Sequence, residues 1–189
     1  MTKNIMIVGV GGQGSLLASK LLGKLLVNEG YDVKVSEVHG MSQRGGSVVT
    51  YVRYGDKVYS PIIDKGESDF IVSFEMLEAA RYAEYLRDGG KIIVNTQKID
   101  PMPVVIGAME YPDAALENLS AKGFDIDAID ALTPAMEAGS AKAVNIVLMG
   151  RLSKSLSIPE EAWLSAIAET VAPKFVEMNK KAFLLGRNS

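Results

Sequence analysis

The chain has 189 residues, 48% hydrophobic and 23% charged, a balance that suits a folded globular protein and excludes a disordered or fibrous one. Its net charge of -3, with acidic and basic residues interspersed, offers no basic stripe to nucleic acid and no polybasic patch to a membrane. With no cysteine and one histidine, the chain cannot build thiolate zinc sites, iron–sulfur clusters, cysteine nucleophiles or histidine-rich metal sites, so any redox centre must sit on another chain.

One domain over residues 1–189 is the expectation at this length, since folding buries on the order of 70% of the unfolded chain's surface and forms a core without disulfides or metal. The apolar run after Met1-Thr2-Lys3-Asn4 is too short for a signal peptide. Nothing approaches the roughly 18 apolar residues of a membrane span, and a cytoplasmic location is expected.

Ile5 to Val10 is a continuous apolar run ending in glycines, and Leu16, Leu17, Ala18, Leu21, Leu22, Leu25 and Leu26 follow at helical spacing. Gly30 closes that helix, and Asp32 to Ser36 alternates as a second strand, giving a βαβ unit expected to be parallel and right-handed. Residues 48–54 alternate again, and Gly55-Asp56 separates them from Lys57-Val58-Tyr59, which reads as an antiparallel hairpin where a crossover helix would otherwise stand.

Asp69 to Ser73 reads as a buried strand, Glu75 to Leu86 as a helix stopped at Asp88-Gly89-Gly90, and Lys91 to Asn95 as another strand. A short strand is expected at Val104 to Ile106, a helix at Asp113 to Lys122, a strand at Phe124 to Ile129, and helix from about Ala141 onward. Ser157 and Glu160 have capping-box spacing for a helix running to about Val171, and Pro173 opens the last helix. The fold class is therefore α/β: three layers, a mostly parallel sheet, an inserted antiparallel hairpin and helical C-terminal segments.

Gly9-Val10-Gly11-Gly12-Gln13-Gly14 fits G-x-G-x-x-G between a strand and a helix, with Glu37 where a ribose-binding carboxylate is expected. Three readings stay open: a dinucleotide site, a tight strand-to-helix turn, and an anion site at the helix N-terminus without a dinucleotide. Two features argue against the first: the hairpin replaces the helix of a mononucleotide-binding half, and the loop around His39 would occupy the rim where an adenosine lies.

A second cluster combines His39, Ser42, Gln43 and Arg44 with Gly40, Gly45 and Gly46. The glycines let such a loop lie close to another surface, and Arg44 suits a bidentate grip on carboxylate or phosphate. His39 taken alone is a solvated loop residue. Met41 and Met76 are expected to fill gaps, Trp163 to pack against the body or a neighbouring subunit, and Glu75 with Glu78 to form a solvated helix face. The C-terminal helices are candidates for a docking surface.

The segments "GVGGQGSLLASKLLGKLL", "SEVHGMSQRGGSVVTYVRYGDKVYSPII" and "DFIVSFEMLEAARY" resemble the gamma-type module of the 2-oxoacid:ferredoxin oxidoreductases, most closely its indolepyruvate branch. The likeness is dense from about Ile5 to Pro112. It implies a subunit of an enzyme that converts an arylpyruvate and coenzyme A to acyl-CoA and CO2 and passes electrons to ferredoxin. It also implies that thiamine diphosphate, Mg and iron–sulfur clusters reside on a larger partner subunit, since no Gly-Asp-Gly thiamine signature occurs here. The two glycine-rich loops would then face the partner's active site, with no catalytic residue and no metal on this chain. A gamma-type subunit for pyruvate or another 2-oxoacid is the nearest alternative; a free-standing NAD(P)-binding protein and a non-catalytic interaction module are the others.

Overall fold

The computed structural model describes residues 2–37 and 40–189. Six strands form one sheet: β1 (Lys3–Val10), β2 (Asp32–Glu37), β3 (Ser47–Gly55), β4 (Ser68–Ser73), β5 (Leu86–Asn95) and β6 (Asp125–Ile129). Their spatial order is β2-β3-β1-β4-β5-β6. β3 runs antiparallel to both of its neighbours, whereas β1, β4, β5 and β6 pair in parallel.

Alternation along β1 sorts the core into two halves. Ile5 and Ile7 meet Leu21, Leu22, Leu25 and Leu26 of α1 (Ser15–Asn28), together with α6 (Val144–Ser153), α7 (Glu160–Thr170) and α8 (Val176–Asn188). Met6 and Val8 face the other way, toward Ala79 of α2 (Met76–Tyr82) and Leu119 of α4 (Ala115–Ala121). A strand covered on both faces needs no polar side, which is why β1 reads as an unbroken apolar run. Two further short helices, α3 (Met102–Val105) and α5 (Leu132–Ala138), complete the chain.

The three-layer architecture agrees with expectation; several local readings do not. β1 and β2 are not hydrogen-bonded neighbours, because β3 lies between them, and β3 pairs back onto β2 from Asp32↔Gly55 to Glu37↔Thr50. Residues 57–59 therefore form no hairpin strand. Instead the Val58 amide donates to Asp32 Oδ2 at 2.9 Å, which ties down the chain leaving β3. Alternating residues identify the strand correctly but do not identify its partner.

β5 begins at Leu86, not Lys91. Between the pairs Ser68↔Leu86 and Phe70↔Lys91 it carries an irregularity, and there Arg87 reaches the buried Asp69 carboxylate at 2.9 Å. Val104 to Ile106 is not a strand, because Pro101 and Pro103 preset the first turn of α3, where a missing N–H costs nothing. α5 occupies a stretch for which the sequence suggests no element. Ser157 does not cap α7: Pro159 holds the N-cap position, and the Glu160 carboxylate is engaged by Arg187 at 3.1 Å.

The C-terminal helices close one face of the sheet with little slack. Trp163 stacks on Phe183 with ring centroids 5.4 Å apart, so the tryptophan belongs to the body's own core. A Cβ on Gly150 would lie 2.1 Å from the Phe183 carbonyl oxygen, and one on Gly186 would lie 2.0 Å from that of Val147. α6 and α8 thus touch backbone to backbone. Gly186→Ala is expected to destabilise the fold by about 2 kcal/mol or more, lowering the thermal midpoint by several degrees. Gly23→Ala, whose Cβ meets only Val35 at 3.6 Å, should instead stabilise by up to about 1 kcal/mol through helix propensity. Thermal denaturation of the two variants checks both signs.

Candidate functional site

The carboxyl ends of the parallel strands form one edge of the sheet, the edge at which open α/β sheets hold ligands. Because β3 runs the other way, its first residue, Ser47, pairs with Val10 at the end of β1. The segment before it stays on the same edge and meets the glycine loop.

The two glycine-rich loops lock together. The Gly11 amide donates to the Gly46 carbonyl at 2.8 Å, and a Cβ on Gly11 would fall 2.3 Å from the Ser42 carbonyl oxygen. Only glycine permits that approach. Gly14 has φ of 88° and sits against Asn145, whose Nδ2 donates to the Gly14 carbonyl at 3.1 Å. Gly9 packs on Phe74, and Gly12 borders open space.

Gln13 ties the glycine loop to the neighbouring strand. Its Oε1 accepts from the Val10 amide at 2.7 Å, and its Nε2 donates to the Phe74 carbonyl at 3.0 Å and to Gln97 Oε1 at 3.4 Å. The side chain is thus a structural tie between the ends of β1 and β4.

Met41, Ser42 and Gln43 form a single 3-10 turn, with Arg44 and Gly45 beyond it. Met41 stands out in solvent and fills no gap, whereas Met76 is buried as expected. A cleft of about 220 Å³ opens between the loops, lined by Gly11, Gly12, Gly14, Ser15, Leu16, Gln43, Val48 and Thr50. The first-turn amides of Ser15 and Leu16 have no acceptor among the described residues. His39 lies outside the described residues.

Glu37 does not stand ready for a ribose. It accepts a short hydrogen bond from the Ser19 hydroxyl of α1. Two strand spacings, roughly 9 to 10 Å, also separate β2 from the strand that carries the glycine loop, because β3 intervenes. The dinucleotide geometry, with its carboxylate on the adjacent strand, is not formed.

Glu75 and Glu78 correct the expectation of a solvated face, being only 1% and 4% exposed. Glu75 caps α2 by accepting from the Glu78 amide at 2.9 Å, and its other oxygen takes the Ile99 amide at 3.2 Å and a short bond from the Tyr111 hydroxyl. Glu78 accepts a short bond from Ser47 and pairs with Arg81 at 3.2 Å. Burial pushes the Glu78 carboxyl above its ordinary range, opposed by Ser47 and Arg81. Burial and then the Glu75 hydrogen bond raise the Tyr111 phenol. The two carboxylates thus join β3, α2 and the chain after β5 in one polar network along the edge.

Gly11→Ala should force the loops apart. The expected result is amide hydrogen exchange about 10-fold faster at residues 40–46, with the α1 amides unchanged; equal exchange in both proteins would show that the contact does not hold the loop.

The family model described as pyruvate ferredoxin/flavodoxin oxidoreductase matches residues 4–189. Indolepyruvate oxidoreductase subunit IorB of Thermococcus kodakarensis is 44% identical over 188 residues, covering 97% of this chain and 93% of the relative. Among solved structures, pyruvate oxidoreductase subunit PORC of Thermotoga maritima superposes with a TM-score of 0.74 at 22% identity, covering 100% of this chain and 96% of that one. The 2-oxoglutarate:ferredoxin oxidoreductase of Magnetococcus marinus superposes with a TM-score of 0.72 at 19% identity, covering 99% of this chain but 30% of that one. With the family pattern running through all six strands and the C-terminal helices, the chain belongs to the pyruvate ferredoxin/flavodoxin oxidoreductase family.

Proposed function

We propose that this chain is the smaller subunit of an arylpyruvate:ferredoxin oxidoreductase acting on indolepyruvate, which forms acyl-CoA and CO2 and reduces ferredoxin. The main support is the 44% identity to a subunit named for indolepyruvate, sustained over 97% of the chain. Without cysteine the chain offers nothing to an iron–sulfur cluster, and the described residues contain no group of three or more His, Cys, Asp or Glu side chains fit for a metal. On the family resemblance, thiamine diphosphate, Mg and the clusters are assigned to the larger subunit, and ferredoxin meets the enzyme through that complex.

This chain's part is to complete the partner's active site with the interlocked loops. The cleft between them sits at the N-terminus of α1, where unpaired amides and the helix dipole favour an anion, and Arg44, exposed and next in the chain to the lining residue Gln43, adds a full positive charge. An anionic group of coenzyme A fits that chemistry. Gly11, Gly12, Gly14 and Gln43 line the cleft, Gly9 and Gln13 hold the shape of the glycine loop behind it, and Ser42, Arg44, Gly45 and Gly46 flank Gln43 in the facing loop.

Anoxic purification of the tagged chain from its native cells should bring down a large thiamine and iron–sulfur subunit, with dye reduction dependent on indolepyruvate and coenzyme A. In that complex Arg44→Ala should raise the KM for coenzyme A by about 10-fold or more, the size of a lost charge-assisted hydrogen bond. An unchanged coenzyme A dependence would remove Arg44 from the site, and a chain recovered alone would remove the subunit role.

A further inference from the structure

Residues 98–113 leave the carboxyl edge after β5 and return to it through a tied neck. The Ile99 amide and the Tyr111 hydroxyl both donate to Glu75 Oε1, the Leu77 amide donates to the Tyr111 oxygen at 3.2 Å, and Lys98 pairs with Asp113. The loop is also bonded within itself: the Val104 and Val105 amides reach the Pro101 carbonyl at 2.8 and 3.1 Å, and the Ala108 and Met109 amides reach that of Pro103 at 2.9 and 3.1 Å. It is folded, yet it holds its apolar side chains outward. Met102, Val105, Ile106 and Met109 are 69%, 65%, 69% and 65% exposed. Single exposed apolar residues need no account, but a contiguous group on an internally bonded loop marks a surface that another molecule covers.

The size and charge of the patch select the occupant. A stable interface buries about 800 Å² on each partner, more than four side chains supply, so the partner must also cover neighbouring surface. At the loop's base, Gln97 Oε1 accepts from Asn95 Nδ2 at 3.3 Å and from Gln13 of the glycine loop, so the loop springs from the same carboxyl edge that is assigned above to the larger subunit. A second copy of this chain is disfavoured: a two-fold contact centred on the loop would bring together two segments that each carry Lys98 against the three carboxylates of Asp100, Glu110 and Asp113, an excess of like charge in one small interface.

We propose that residues 98–113 are a preformed docking loop for the larger subunit, with Met102, Val105, Ile106 and Met109 as its apolar contact and Glu75 as the clasp that fixes its shape. The proposal rests on the partner assignment of the preceding subsection.

The test titrates the full chain against the anoxically purified larger subunit. The double variant Val105→Asp/Ile106→Asp should keep the thermal midpoint of the unmodified chain and raise the Kd by about 30-fold or more, as loss of an interface hot spot does. Equal affinity would overturn the docking loop while leaving the partner assignment intact. Failure of the unmodified chain to bind would remove the partner assignment, and the loop's role with it. Sedimentation of the chain alone gives a further arm: a dimer that the double variant dissociates, with binding to the larger subunit unaltered, would mean that a second copy is the occupant and would overturn the proposal. Tyr111→Phe tests the clasp. It should speed hydrogen exchange at residues 102–110 and weaken binding several-fold, and unchanged exchange would overturn the role of Glu75.

Discussion

The antiparallel insertion of β3 between β1 and β2 is the constraint from which the carboxyl edge follows. In a parallel arrangement the chain would leave that edge after β2 and cross to the far end of the sheet. Here Ser47 pairs with Val10, so the connection from β2 turns back at once and its glycine-rich stretch lands on the loop after β1. The fold turns what would be an open nucleotide rim into a contact between two backbones. That contact tolerates no side chain at Gly11.

From there the structure extends sideways through polar groups. Gln13 carries the glycine loop to Phe74 and Gln97, Glu75 carries the end of β4 to Ile99 and Tyr111, and Glu78 reaches back to Ser47 at the start of β3. Buried carboxylates are costly unless their lone pairs are satisfied, and here each is held by several donors. Removing one partner would leave part of a buried carboxylate's hydrogen-bonding capacity unmet. The edge is therefore tied together by side-chain bonds from the glycine loop to the start of β3 and to the neck of residues 98–113.

Much of this is legible in the sequence where the cause is local. The apolar run of β1 reports burial on both faces, the leucine spacing reports α1, and the alternation at residues 48–54 reports a strand. What alternation cannot report is which strand lies beside it: residues 57–59 read as the partner of β3, and β2 takes that place. Glu75 and Glu78 read as solvated because their partners, Tyr111 and Ser47, are 36 and 31 residues away in the chain. The prolines at 101 and 103 carry a signal for a helical turn that the valine pair obscures. Gln13 shows the same limit in the site itself: its position inside the glycine motif suggests a ligand contact, and in the fold its amide is spent on backbone and on Gln97.

On this reading the carboxyl edge, and not the layer of C-terminal helices, is the face turned toward the larger subunit. Hydrogen exchange of the chain alone and in the anoxic complex would distinguish the two faces. Protection is expected on assembly at residues 9–14, 40–47 and 98–113, with the α6 to α8 surface unchanged. Protection confined to the C-terminal helices, with the two loops exchanging as in the free chain, would contradict it.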